Sequence, residues 1–344
     1  MSGSGRGARL AIPAPVLAEL EAQGLPVAAT LDAVERRLGE QVTSSRAFVD
    51  EVARYLIDAG GKRFRPLLVA LTGHLGDPDA PGLVDAGVIV ELVHLATLYH
   101  DDVIDEAAAR RGTPSANSRW DNTVAILTGD YLFARASDLS ADLGVEVTRI
   151  MASTLARLCE GQIAEVQGSS GALPPDVPRL VPDREHYLEV IAGKTASLIE
   201  TSCRYGALLS GVDAAGIQSA AAYGFEVGMA FQLSDDLIDI TASAGDSGKV
   251  PGTDLREGVH TLPVILALEA EPDGELARLL AAPLGDAEVA RALELLRAGD
   301  ALERARAEAV ARVEVAVSHL GGFGDRPVVT ALRRLAEYAV DRIG

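Results

Sequence analysis

Lysine is nearly absent from this chain. Of 31 basic residues among 344, only three are lysine, Lys62, Lys194 and Lys249, and each follows a glycine. Two cysteines, Cys159 and Cys203, exclude a disulfide framework and a Cys-based metal site, leaving free thiols in a reducing compartment as the expectation. Aromatic residues are only 4%, so a core must be built from Leu, Ala and Val, a mix that favours helix over strand. There is no alternating strand pattern, while apolar spacings of three and four recur after residue 28. The fold expected is all-α. Positive charge is short as well: 50 acidic residues leave a net charge of -19, which repels nucleic acid and anionic membrane surfaces. No run of about 18 or more apolar residues and no signal peptide is present, so a cytoplasmic protein without a transmembrane anchor is expected.

Against this background two copies of one acidic signature stand out, Asp101-Asp102-Val103-Ile104-Asp105 and Asp235-Asp236-Leu237-Ile238-Asp239. Each follows an apolar stretch that reads as buried helix. The first and fifth residues of such a motif project from one helix face a turn apart, so each copy presents a carboxylate pair. Oxygen-only clusters suit a hard cation, and Mg²⁺ typically takes one or two carboxylates plus substrate phosphates. The Gly-Lys dipeptides fit the same chemistry. Lysine is a compact point charge for phosphate where the planar fork of Arg does not fit, and glycine lets backbone approach a ligand. Short basic clusters, Lys62-Arg63 with Arg65, and Arg110-Arg111, add to it. Biased codon usage is the bland alternative for the lysines, against which the coincidence of three Gly-Lys dipeptides stands; helix-end charge is the alternative for the arginines, the functional reading being preferred, and a lone His94 among apolar residues is more often a hydrogen-bonded core residue. His94 precedes Asp101 by seven residues, however, about 20° round an ideal helix, and so faces the same way.

Residues 1–26, rich in Gly, Ser, Ala and Pro, read as a flexible tail, and 27–344 as one domain. Gly168 to Pro182 and Gly245 to Gly258 break the helical pattern. From about 274 onward the chain is Ala/Leu/Arg/Glu-rich helix.

Taken in order, Gly60-Gly61-Lys62-Arg63-Phe64-Arg65-Pro66, His94, the first acidic motif, Arg110-Arg111-Gly112, Gly129-Asp130, Gly193-Lys194-Thr195, Gln232 with the second acidic motif, Gly248-Lys249 and Gly252-Thr253-Asp254-Leu255 resemble the all-trans polyprenyl diphosphate synthases. The resemblance runs from about residue 45 to a terminal segment ending in Arg342. It implies a bundle of about ten or more helices around a deep central cavity, and a Mg²⁺-dependent condensation of isopentenyl diphosphate with an allylic diphosphate. It further implies Asp101, Asp105 and Asp235 as direct metal ligands with Asp239 acting through water. Lys194, Thr195, Gln232, Lys249 and Arg110 would hold the allylic diphosphate, and Lys62, Arg65, His94 and Arg111 the isopentenyl one. The adjacent arginines, about 100° apart if helical, could serve two diphosphates. Asp101, Asp105, Lys194, Asp235 and Lys249 would act on the leaving pyrophosphate. A homodimer, and transient membrane contact for release of an apolar product, are also expected. One departure is Val259, where the family often carries lysine after Gly258.

In short-chain members of the family a bulky aromatic stands four or five residues before the first motif. Here those positions are Thr97 and Ala96, and no aromatic lies between Arg65 and Leu98. At about 1.5 Å per residue, residue 84 to Asp101 is roughly 25 Å deep, which suits thirty to fifty carbons. A short-chain synthase and a terpene cyclase remain as alternatives. So does a di-iron bundle, because Glu91 to His94 and Glu257 to His260 both have the spacing of its ligand pairs.

Overall fold

Helix dominates the computed structural model, which describes residues 14–169, 182–241 and 251–341. The chain runs α1 (Ala14–Ala22), α2 (Val27–Gln41), α3 (Ala47–Asp58), α4 (Phe64–Gly73), α5 (Leu83–Ile104), β1 (Ala109–Arg110), β2 (Thr113–Pro114), α6 (Ala116–Arg119), α7 (Asn122–Asp142) and α8 (Val145–Gly168). It continues with α9 (Arg184–Ile191), a π-helical turn (Ala192–Ala196), α10 (Ser197–Leu209), α11 (Ala214–Thr241), α12 (Thr253–Glu257), α13 (Leu262–Ala270), α14 (Glu275–Leu279), α15 (Asp286–Ala298), α16 (Ala301–Ser318), a 3₁₀ turn (Gly321–Phe323) and α17 (Pro327–Asp341). The all-α class holds. Lys249 and Arg342, together with most of the two expected loop breaks, lie outside the described residues.

Contacts divide the chain into two compact units, residues 1–155, 201–221 and 322–331 in one and 156–200, 222–321 and 332–344 in the other. The sequence suggested a single domain after residue 26. Each unit is drawn from three separate stretches, so no linker or shift in composition marks the division.

In the first unit α5 is the central element and packs against α2, α4 and α7. Its residues are apolar nearly all round and most are buried, the pattern of a helix enclosed on every side. It is also the one described helix long and apolar enough to suit a membrane span, against the expectation of none. Yet 67% of that stretch is buried, and its sides are occupied by neighbouring helices. Close approach is built in by small residues: a Cβ on Gly87 would lie 2.9 Å from Val34, and one on Gly206 only 2.4 Å from the Val69 carbonyl. Helix α1 falls inside the expected tail and packs against α2, with Leu20 and Leu25 buried. The Gly and Ser of that stretch are concentrated before residue 8, whereas Leu17, Leu20 and Leu25 supply apolar spacing further on.

The second unit has two apolar clusters. One joins Tyr187 and Ile191 of α9 to Met229, Leu233 and Leu237 of α11, Leu262, Ile265 and Leu266 of α13, and Ala301, Ala305 and Ala309 of α16. Alanine at every fourth position gives α16 a shallow face on which α13 can lie close. The other cluster gathers Ile240, Leu255 and Val264 with Val289, Ala292, Leu293 and Leu296 of α15.

Candidate active site

In the first unit the acidic motif ends α5. Asp101 is half-buried and Asp105 is the exposed C-cap, its N–H bonded to the Asp101 carbonyl at 2.8 Å. Asp102 differs. It is fully buried, and its Oδ1 accepts from Arg110 Nε at 2.6 Å. Burial pushes its carboxyl above the ordinary range while Arg110 and Arg111 pull it down. Its Oδ2 is buried without a hydrogen-bond partner. Asn117 Nδ2 closes the following loop by donating to the Asp102 carbonyl at 3.0 Å.

Arg110 and Arg111 are not helical. They sit on the β1–β2 hairpin, where Arg111 (φ 53°) and Gly112 (φ 75°) form the turn with the positive φ angles that a two-residue hairpin loop requires. The two side chains do reach different partners, but because the backbone turns between them rather than through a 100° helical step. Arg111 Nη1 donates to the carbonyls of Leu56, at 2.8 Å, and Gly60. A Cβ on Gly61 would lie 3.0 Å from that guanidinium, so glycine is what admits it.

Around this loop positive charge accumulates. Arg63 is buried and neutralised, donating to Glu91 at 2.8 Å and to Glu35. Arg65 has no such match: its Nε is buried without a partner, and burial, reinforced by Arg111, brings its pKa down to about 10 despite Glu91. Burial also lowers Arg111. His94 is held well below its usual value by burial first, then by Arg65, Arg111, Arg63 and Arg110. The structure therefore brings Arg65, His94 and Arg111 together, with Lys62 exposed nearby in sequence. Like charges crowded with an unsatisfied guanidinium N–H describe a site for a polyanion.

In the second unit the acidic motif lies near the C-terminal end of α11. Asp235 is half-buried. Asp236 is buried and accepts from Tyr187 Oη at 2.5 Å and from Gln232 Nε2 at 2.8 Å. Burial outweighs both donors and pushes its carboxyl up to about 7, with Asp235 and Glu165 adding to the rise. Asp239 accepts from the backbone N–H groups of Thr253 and Asp254, each at 3.2 Å, so both of its oxygens help anchor the start of α12. Thr195 Oγ1 donates to Gln232 Oε1 at 2.7 Å. Lys194 pairs with Glu165, which also accepts from Gln162 at 3.0 Å. Lys194 and Thr195 belong to the π-helical turn, a distortion often found at functional sites. There Gly161 and Gly193 let two backbones touch: a Cβ on Gly161 would be 2.5 Å from the Lys194 nitrogen. Sequence reasoning did not find Glu165, Tyr187 or Glu35. The bonds that tie them to Lys194, Asp236 and Arg63 span 28 to 49 residues, beyond any helical period.

Both motifs thus share one internal division. The middle Asp is buried and committed to the protein, while the first stays accessible. Both also place carboxylates at a helix C-terminus, the negative end of the macrodipole, where each is disfavoured unless a cation is near. Among the described residues no group of three or more His, Cys, Asp or Glu could enclose a metal alone. The donors present fit Mg²⁺ held by carboxylate pairs whose remaining ligands are water and phosphate. They do not fit a di-iron centre. Glu91 is committed to Arg63, and Gly258 (φ 73°) ends α12 before His260, so the Glu257–His260 pair is not on one helix.

The polyprenyl synthetase family model matches residues 46–296. The chain is 44% identical to the nonaprenyl diphosphate synthase of Mycobacterium tuberculosis over 341 residues, covering 96% of this chain and 99% of that protein. Its structure is similar to a decaprenyl diphosphate synthase from Rhodobacter capsulatus, with TM-score 0.85, 34% identity, and 96% and 100% of the two chains covered. It is also similar to a geranylgeranyl pyrophosphate synthase from Corynebacterium glutamicum complexed with calcium and isoprenyl diphosphate, with TM-score 0.77, 39% identity, and 92% and 97% covered. The chain belongs to the polyprenyl synthetase family, enzymes that transfer prenyl groups.

Proposed function

We propose that this enzyme condenses isopentenyl diphosphate with an allylic diphosphate, using Mg²⁺, and carries the all-trans chain to medium or long length. The observation that carries the reading is the cation cluster of Arg65, His94 and Arg111, a polyanion site separate in kind from the acidic motifs and their metal chemistry. An enzyme that only ionises one diphosphate, such as a terpene cyclase, needs no such second site.

Asp101, Asp105 and Asp235 are the proposed metal ligands, and Mg²⁺ when bound supplies charge for the departing pyrophosphate. Lys194 and Gln232 grip the allylic diphosphate, Thr195 from the same turn serving through the hydroxyl it donates to Gln232, and Lys194 exchanges Glu165 for phosphate oxygen. Lys249 is assigned to the same group from sequence alone. The C–O bond of the allylic substrate breaks, its electron pair leaving with pyrophosphate, and Lys194 stabilises that charge as a preorganised donor. The π electrons of isopentenyl diphosphate, held by Lys62, Arg65, His94 and Arg111, form the new C–C bond. A proton from the adjacent carbon passes to the pyrophosphate, and the chain has grown by five carbons. Arg110 is engaged with Asp102. Its proposed part is therefore to hold the loop after the motif as well as to reach the allylic phosphate.

Thr97 is half-buried and one turn before Asp101 on the same face, whereas Ala96 is fully enclosed. A small residue at Thr97 supports a long product, in keeping with the nonaprenyl and decaprenyl relatives. Purified protein given Mg²⁺, isopentenyl diphosphate and an allylic primer is expected to yield linear polyprenyl diphosphates of roughly thirty to fifty carbons, the depth argued from helical rise. A cyclic hydrocarbon, or no product, rejects the reading.

A further inference from the structure

We propose that Tyr187 is a positioning residue for the second acidic motif. It fixes the Asp236 carboxylate and thereby sets which way the Gln232 amide and the Thr195 hydroxyl point. The inference deepens the prenyl-transfer reading and rests on it.

The geometry is a chain of three hydrogen bonds. Tyr187 Oη donates to Asp236 Oδ2 at 2.5 Å, Gln232 Nε2 donates to Asp236 Oδ1 at 2.8 Å, and Thr195 Oγ1 donates to Gln232 Oε1 at 2.7 Å. In its ionised form the Asp236 carboxylate only accepts, so the Gln232 NH₂ then faces Asp236 and its carbonyl faces Thr195, as the donor in each bond shows. That commits the Thr195 proton to Gln232. The donor these bonds leave to the network is the second N–H of Gln232, and a diphosphate, which only accepts, needs such a donor.

Tyr187 holds the start of this sequence of constraints. It comes from α9, seven residues before Lys194, and its ring belongs to the apolar cluster that joins α9 to α11. Asp236 is buried, so an Oδ2 released by loss of the hydroxyl has no water to replace the donor. The carboxylate then turns toward another partner and the Gln232 amide loses its reference. An amide rotated to present its oxygen repels phosphate where the native one binds it. The phenol also reports why an aromatic with a polar tip is placed in this core: Phe fills the same volume and lacks the one atom the motif uses.

Tyr187→Phe and Asp236→Asn test the link from both sides. The probe is inorganic pyrophosphate with Mg²⁺, titrated calorimetrically into wild type, each variant and the double variant. Steady-state KM is measured separately for the allylic and isopentenyl substrates. Each single variant is expected to weaken pyrophosphate binding and raise allylic KM about 10-fold, the size of one hydrogen bond to a charged group. Isopentenyl KM should stay within about twofold, and the double variant should be no worse than the weaker single, as for residues acting through one contact. A merely structural tyrosine would move both KM values together. Unchanged pyrophosphate affinity in both singles, or additive losses in the double, overturns the proposal. If Tyr187→Phe does not fold, Asp236→Asn decides alone by the same split between substrates. Failure of wild type to bind pyrophosphate with Mg²⁺ and to turn over would instead overturn the prenyl-transfer reading, and this inference with it.

Discussion

Arg63 Nη1 donates to Glu91 Oε1 at 2.8 Å with both side chains almost completely enclosed, and the same guanidinium also holds Glu35. The pair links the loop before α4 to the middle of α5. Removing one member of a buried ion pair leaves an uncompensated charge, which costs about 3–5 kcal/mol. Arg63→Ala is therefore expected to lower the unfolding free energy by about that amount, read from the urea midpoint at constant slope. A change under about 1 kcal/mol would show that the carboxylates find other partners.

The metal assignment predicts that Asp101→Ala and Asp235→Ala each lose at least about 3 kcal/mol of transition-state stabilisation, on the scale of one oxyanion donor. Single-turnover rates at saturating Mg²⁺ check this. Near-normal rates in either variant would remove that residue from the site.

Thr97 and Ala96 are neighbours with different surroundings. Thr97→Tyr is expected to shorten the products, seen by chromatographic sizing, while leaving the fold intact. Ala96→Tyr puts a ring where no space exists, so it should cost about 1–3 kcal/mol or more in stability, without a clean shift to shorter chains. Equal product distributions for wild type and Thr97→Tyr would place the chain elsewhere.

Gly161 is constrained by backbone. A Cβ there would meet the Lys194 nitrogen at 2.5 Å and the Gly193 carbonyl carbon at 2.9 Å, neither of which can swing aside. Gly161→Ala should destabilise by about 1–3 kcal/mol and raise allylic KM, because the turn that carries Lys194 must move. A melting temperature and KM both equal to wild type would contradict this.

His94 makes stability depend on pH in a defined direction. Burial, then the neighbouring arginines, lower its pKa in the folded protein, whereas the unfolded chain takes up the proton near the ordinary value of about 6.5. Below that pH the unfolded state binds more protons, so this contribution is full above about pH 6.5 and is lost on acidification toward the lowered folded pKa. His94→Gln should flatten the acid side of the stability profile measured by urea unfolding. On the proposed assignment isopentenyl diphosphate supplies the missing negative charge, so its binding near pH 6 should draw in protons, seen as a buffer-dependent binding enthalpy.

Much of this protein was legible without coordinates. Two acidic motifs at helical spacing, three Gly-Lys dipeptides and a Leu/Ala/Val core are local patterns, and local patterns determine helix, face and the chemistry a face can offer. Hence the all-α class followed from the sequence, and Arg65, His94, Asp101, Lys194, Gln232 and Asp235 could be put forward as site candidates, some from local pattern and some from the family resemblance. The hairpin at Arg110–Thr113 did not, because two paired residues on each side are too short to show alternation. The helical step assumed for the two arginines failed for that reason. Nor could spacing reveal that Asp102 and Asp236 are spent on Arg110 and Tyr187 while their neighbours stay accessible. Every aspartate in a motif looks alike until burial separates them, and burial depends on which distant helices pack together. What the chain alone determined is therefore which groups are available; tertiary packing decided which of them are buried and held, by whom, and which keep contact with solvent.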